Sequence, residues 1–203
     1  MMILVVTLGF DEKFQIRALM RRFNDLEKVI VVGSFNDERA KKALESFENV
    51  MKSAQVNYEL VEVDPHNFYD TIITITKRII NKNKGRMFVL NVSGGMRILI
   101  IELLFAFIFS GLEAEVEIES EDFNTIVSFR LSDMYPAHLT QDHIRILMSI
   151  KQGYTSINSI HKRVEMSLST TWRRLKELRE MGLIDEENRL TVKGELVIKM
   201  FSP

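Results

Sequence analysis

Apolar and polar positions alternate in blocks along the first two thirds of the chain. Residues 3–7 form a short apolar, β-branched run ending in Leu8-Gly9-Phe10. The period then changes. Ile16, Leu19, Met20 and Phe23 recur at i, i+3, i+4 and i+7, the spacing of one helix face. Residues 29–32 form a second buried run, stopped by Gly33-Ser34. Asn36 or Asp37 can cap the next helix, whose inner face is Ala40, Ala43, Leu44 and Phe47. Residues 58–63 alternate apolar and acidic side chains, the pattern of a strand near a sheet edge. Phe68, Ile72, Ile75 and Ile79 mark a third helix after Asp64-Pro65. A strand at 86–91, a helix at 95–110 and strands at 113–119 and 125–131 complete the series. Strands alternating with helices predict an α/β fold, a Rossmann-like and mainly parallel sheet, with the last pair adding an antiparallel edge.

The pattern changes at Asp133-Met134-Tyr135-Pro136, which places a domain boundary at 1–134 and 135–203. Beyond Thr140 come three helical patterns and a short polar ribbon. Ile144, Leu147, Met148 and Ile150 mark the first helix, and Ile157, Ile160 and Val164 the second. Leu168, Thr171, Leu175, Leu178 and Gly182 share one face of the third. Residues 183–184 and 189–192 flank a turn, and a last helix runs from 194 to 201. This is the layout of a winged helix-turn-helix domain. The string Met166-Ser167-Leu168-Ser169-Thr170-Thr171-Trp172-Arg173-Arg174-Leu175-Lys176-Glu177-Leu178, followed by Glu180-Met181-Gly182-Leu183-Ile184, resembles the recognition helix and wing start of winged-helix regulators. Such a helix meets base edges with its N-terminal end. The expected DNA-binding residues are Ser167, Ser169, Thr170, Trp172, Arg173, Arg174 and Lys176, with Arg189 in the wing. The plain alternatives are a protein-binding winged helix and, for Trp172, simple packing.

Charge sharpens this picture. The net charge of −1 splits into 16 basic and 20 acidic residues up to Tyr135, and 11 basic and 8 acidic after it, or −4 and +3. A basic second domain favours a polyanion such as double-stranded DNA. The absence of cysteine removes disulfides and thiolate metal sites and fits a cytoplasmic setting. The first residues read as a strand rather than a signal peptide. The longest apolar stretch, residues 98–109, is too short for a bilayer, which needs about 20 residues. No membrane association is expected.

Two loops follow strand ends, where open α/β sheets bind ligands. One is Thr7-Leu8-Gly9-Phe10. The other is Asn91-Val92-Ser93-Gly94-Gly95-Met96-Arg97, where glycines admit close approach and a helix start offers N–H groups and positive charge. Neither is a Walker loop nor a GxGxxG motif, and turn chemistry alone can account for Ser-Gly-Gly. The four histidines show no metal-ligand spacing, and neither a metal nor a cofactor is expected. The alternating Glu113, Glu115, Glu117 and Glu119 read as a solvated sheet face rather than a metal cluster. The helix at 98–109, apolar nearly all round, demands burial on all sides, which a symmetric dimer would supply, the alternative being cover by the C-terminal domain or a neighbouring helix.

The Leu90-Asn91-Val92-Ser93-Gly94-Gly95-Met96-Arg97-Ile98-Leu99 string resembles the signature loop of CARF domains, CRISPR-associated Rossmann-fold sensors. The Thr7-Leu8-Gly9-Phe10 loop resembles that family's other ligand-facing motif. With a winged helix behind it, the chain is similar to the archaeal CARF transcription regulators of type I-A systems. The resemblance implies a homodimer acting at CRISPR genes or arrays. It also implies a cyclic oligoadenylate, above all cyclic tetra-adenylate, bound at the dimer interface. Thr7, Leu8, Gly9, Phe10, Asn91, Ser93, Gly94, Gly95, Met96 and Arg97 would line that site. Some CARF domains cleave their ligand. A metal-independent ring nuclease, assisted by Thr7, Lys13, Ser93 or Arg97, is therefore the alternative to a pure sensor with no catalytic residues. A third reading is a regulator of another phosphorylated small molecule.

Overall fold

The computed structural model describes residues 1–135 and 137–201. The chain divides into two compact units, Met1–Ser132 and Asp133–Pro203. Pro136, part of the expected junction, lies outside the described residues.

In the first unit, apolar β-branched runs become the strands of one sheet. They are β1 (Met2–Leu8), β2 (Leu26–Gly33), β3 (Tyr58–Glu62), β4 (Met87–Asn91), β5 (Glu115–Glu119) and β6 (Ile126–Arg130), in the order β3-β2-β1-β4-β5-β6. The first five are parallel, and β6 closes the sheet antiparallel to β5. The acid-bearing β3 takes the other edge, as its alternation predicts. Central β1 is buried at every position, which a strand covered on both faces requires.

The helices are α1 (Lys13–Arg22), α2 (Glu38–Ser53), α3 (Phe68–Ile75) and α4 (Arg97–Phe109). Met2, Leu4, Val6 and Leu8 of β1 pack with Ala18 and Leu19 of α1 and with Ala40, Ala43 and Phe47 of α2. On the other face Phe88 of β4 meets Phe107 of α4 edge-on, with centroids 5.1 Å apart. Strand order reverses between β1 and β4, so the loops after these strands face one crevice.

The expected face of α1 needs correction. Gln15, Ala18 and Leu19 are its buried residues, while Met20 and Phe23 are exposed. The acidic row of β5 decides this. Arg17 Nε donates to Glu119 at 2.6 Å and Arg21 to Glu119 at 2.8 Å; Arg22 Nε reaches Glu117 at 2.8 Å, and Arg22 Nη2 reaches Glu115 at 2.6 Å. Turning Met20 and Phe23 inward would pull these guanidiniums off their carboxylates. Glu117 and Glu119 are therefore buried and paired, not the solvated face that their alternation suggests. Burial pushes the Glu119 carboxyl up, but hydrogen bonds from Arg21 and Arg17 outweigh it and hold the group below its ordinary range.

The second unit contains α5 (Gln141–Lys151), α6 (Ile157–Val164), α7 (Leu168–Glu180) and α8 (Val192–Phe201). Thr140, Ser156 and Ser167 cap the first three. Glu165 ends α6 in the left-handed region, φ 55°. Ile146, Leu147, Ile150, Ile160, Val164, Leu175, Leu178, Leu183, Ile184 and Ile198 form the core. Leu168, expected in that core, is exposed, because the buried side of α7 runs Thr171, Leu175, Leu178. The wing is minimal. Ile184 and Leu190 form one antiparallel bridge, and the Asp185 N–H donates to the Arg189 carbonyl at 2.9 Å. A Cβ on Gly194 would collide with the Leu183 carbonyl oxygen, so α8 starts close against the base of the wing.

Candidate functional site

The two glycine loops meet at the C-terminal ends of β1 and β4. Gly95 has φ +101°, and a Cβ there would lie 2.9 Å from Thr7 Cβ. A Cβ on Gly9 would lie 3.0 Å from Gly95 Cα. Only glycine allows backbones this near, and positive φ adds strain for any other residue. The Thr7 hydroxyl donates to the Gly94 carbonyl, which ties the loops together. Gln15, fully buried on α1, donates from Nε2 to the Thr7 carbonyl at 2.5 Å. The Ser93 hydroxyl accepts the Glu119 N–H at 2.8 Å, fixing the second loop to the end of β5.

Helix termini give this crevice its electrostatics. Asp37 caps α2 by accepting the Arg39 N–H. The Asp11 carboxylate accepts the N–H of Lys13, the first residue of α1, at 2.9 Å, whereas no side-chain cap is present at α4 among the described residues. Both helices begin just after the two loops, and α4 leaves its first-turn N–H groups for solvent or an anion. Arg97 opens α4, is exposed, and makes no ion pair or hydrogen bond among the described residues.

The structure brings Thr7, Gly9, Gly94 and Gly95 into direct contact. It leaves Ser93, Met96 and Arg97 along the second loop and Phe10 at the rim. Leu8 and Asn91 are buried in the sheet. Both polar atoms of the Asn91 side chain lack a hydrogen-bond partner among the described residues. Arg39 escaped the sequence reading. Its guanidinium lies 4.0 Å from the centroid of the exposed Phe10 ring. No spacing in the sequence links residues 10 and 39; only the order β2-β1 places the start of α2 beside the β1 loop. A cavity of about 510 Å³, lined by residues such as Met87, Phe88, Glu115 and Arg130, opens at the opposite ends of the strands. It touches none of the loop residues.

In the second unit Ser169, Trp172, Arg173 and Lys176 are exposed on α7. Ser167 Oγ caps the helix by accepting the Thr170 N–H at 3.1 Å. Arg189 is exposed on the wing. Arg174 is placed differently. It donates to Glu177 at 2.7 Å and lies 3.6 Å from Asp142, so its charge serves the α5–α7 contact. The same Glu177 carboxylate accepts from His143 Nε2 at 2.7 Å, while His143 Nδ1 accepts the Thr140 N–H at 3.1 Å. These two bonds require the neutral ring to carry its hydrogen on Nε2. They join the first turn of α5 to the middle of α7, a link the sequence does not signal.

Among the described residues, no helix is long and apolar enough to cross a membrane. No curated protein sequence matches the chain. Among solved structures it is similar to Can2 from Sulfobacillus thermosulfidooxidans, whose structure is in complex with cyclic tetra-adenylate. The TM-score is 0.52 at 16% identity, covering 98% of this chain and 57% of that one. It is also similar to protein VC1899 from Vibrio cholerae, with TM-score 0.49 at 10% identity, covering 97% and 63%. The chain thus spans less than two thirds of either structure, and at these identities the Can2 likeness is one of fold. The family model for winged helix-turn-helix DNA-binding domains matches residues 143–185. The model for the Csa3 CRISPR-associated Rossmann-like domain matches residues 2–130, a span that takes in all six strands and both glycine loops, and the chain therefore belongs to that family.

Proposed function

We propose that the chain is a dimeric, DNA-binding transcription regulator of CRISPR-associated genes or arrays, controlled by a cyclic oligoadenylate. Cyclic tetra-adenylate is the ligand put forward, and a cytoplasmic regulator of the archaeal type I-A kind is the setting. The carrying observation is the uncapped start of α4, at two glycine-packed loops beside the unpaired Arg97. Such a place suits phosphates. The Can2 complex supports the choice of ligand by likeness of fold.

The dimer rests on α4. Its outer side, Ile98, Ile101, Phe105 and Phe109, is exposed. Phe105 stacks on Phe109 at 5.4 Å and meets Phe68 at 6.2 Å, and Phe68 meets Tyr69 at 5.5 Å. The apolar side starts beside Arg97 with Ile98 and Ile101, and its aromatic part starts about two turns further on. A two-fold contact through it brings both ligand loops to one axis. The exposed hydroxyl and cationic side chains of α7 would then meet DNA bases and phosphates.

Calorimetry of the purified chain with cyclic tetra-adenylate, beside Arg97→Ala, tests the reading. The expected result is one ligand per dimer, bound about tenfold more weakly by the variant, as for loss of a charge-assisted hydrogen bond. Absence of binding would reject this ligand. Recovery of cleaved ligand after incubation would favour the ring nuclease instead.

A further inference from the structure

Two large apolar side chains stand in water at the N-terminal end of α7. Leu168 is 47% exposed and Trp172 57%, one helical turn apart on the same flank. With Ser169 and with Ile157, the first residue of α6, they line one open cleft. Packing does not explain them, since the buried face of α7 is Thr171, Leu175 and Leu178. The cleft also has a charged border. Lys176, one turn beyond Trp172 on the same flank, and Arg173 on the adjacent face are more than half exposed, with long contacts to Glu180 at 3.8 Å and Glu177 at 3.9 Å. A purely apolar occupant would leave these cations beside a desolvated surface. A polyanion carrying an apolar group satisfies both. In the major groove one base presents such a group, the 5-methyl of thymine.

We propose that the Ile157, Leu168 and Trp172 cleft receives a thymine 5-methyl group in the major groove, making Trp172 a specificity-determining residue. Arg173 and Lys176 hold the flanking phosphates and set the depth at which α7 sits. This inference rests on the DNA-binding reading above and adds the base feature that is read.

Selection of duplexes from a randomised pool with the full chain provides the site. Each thymine in the selected duplex is then exchanged for uracil, which removes only the methyl group and leaves base pairing intact. The expected result is one position per half-site where the exchange weakens wild-type binding about threefold to fivefold, the worth of one buried methyl group. Trp172→Ala and Leu168→Ser, measured at salt low enough for binding, should show no such penalty. A second selection with Trp172→Ala should lose the thymine at that position. If wild-type protein binds its selected duplex and no exchange matters, or if both variants keep the full penalty, the proposal fails while DNA binding stands. If the pool yields no bound duplex, the proposal fails together with the DNA-binding reading.

Discussion

Glu102 is fully buried on α4, and neither of its carboxyl oxygens has a hydrogen-bond partner. Burial, with a smaller push from Asp64, lifts its pKa from 4.5 to about 7. The folded chain therefore holds this proton more tightly than the unfolded chain. Whatever stability depends on it is complete below pH 4.5 and is lost as pH rises through about 7. Glu102→Gln keeps the shape and removes the ionisation. Urea denaturation should show the variant gaining about 1–3 kcal/mol over wild type between pH 4.5 and pH 8.5. Parallel stability curves would show that the carboxyl finds a partner or water. At this scale the sequence is least legible. Glu102 interrupts an apolar run, and Gln15 lies outside the apolar spacing of its helix. Only the docking of α1 and α4 on the sheet buries them.

Elements are more legible, because period and capping are local properties. The strand and helix order, a cap at Asn36 or Asp37, the edge position of β3 and the antiparallel β6 all follow from spacing and punctuation. The face that each element turns inward is less so. On α1 the apolar stripe loses to a row of arginines, and on α7 the first leucine of the stripe faces water. The two glycine loops are visible as motifs, but the Phe10–Arg39 contact depends on sheet order and is not. For α4 the sequence demands cover on all sides, and Ile98, Ile101, Phe105 and Phe109 are exposed. Ile101 makes none of the ring contacts, so Ile101→Asp leaves the aromatic chain in place. Sedimentation should show wild type as a dimer and the variant as a folded monomer. A wild-type monomer at all concentrations would remove α4 as the contact.

At the scale of the whole molecule, the proposed function puts ligand and DNA on different units of one chain, so control would require a coupling free energy between them. Such coupling is reciprocal: any factor by which the ligand changes DNA affinity must equal the factor by which DNA changes ligand affinity. Calorimetry with and without duplex, set against anisotropy with and without cyclic tetra-adenylate, should return equal factors different from one. A factor of one would leave a sensor and a DNA reader with no communication. The arginines of α1 and the glutamates of β5 carry a consequence of another kind, in descent. Removing Arg21 leaves Glu119 its bond from Arg17, but removing Arg22 leaves the buried Glu117 with only Arg21 at 3.6 Å, at a cost of up to about 3–5 kcal/mol, a large part of a typical domain's margin. Among relatives, residues 22 and 117 should therefore change together or not at all, inherited as one unit even though almost a hundred residues separate the two halves.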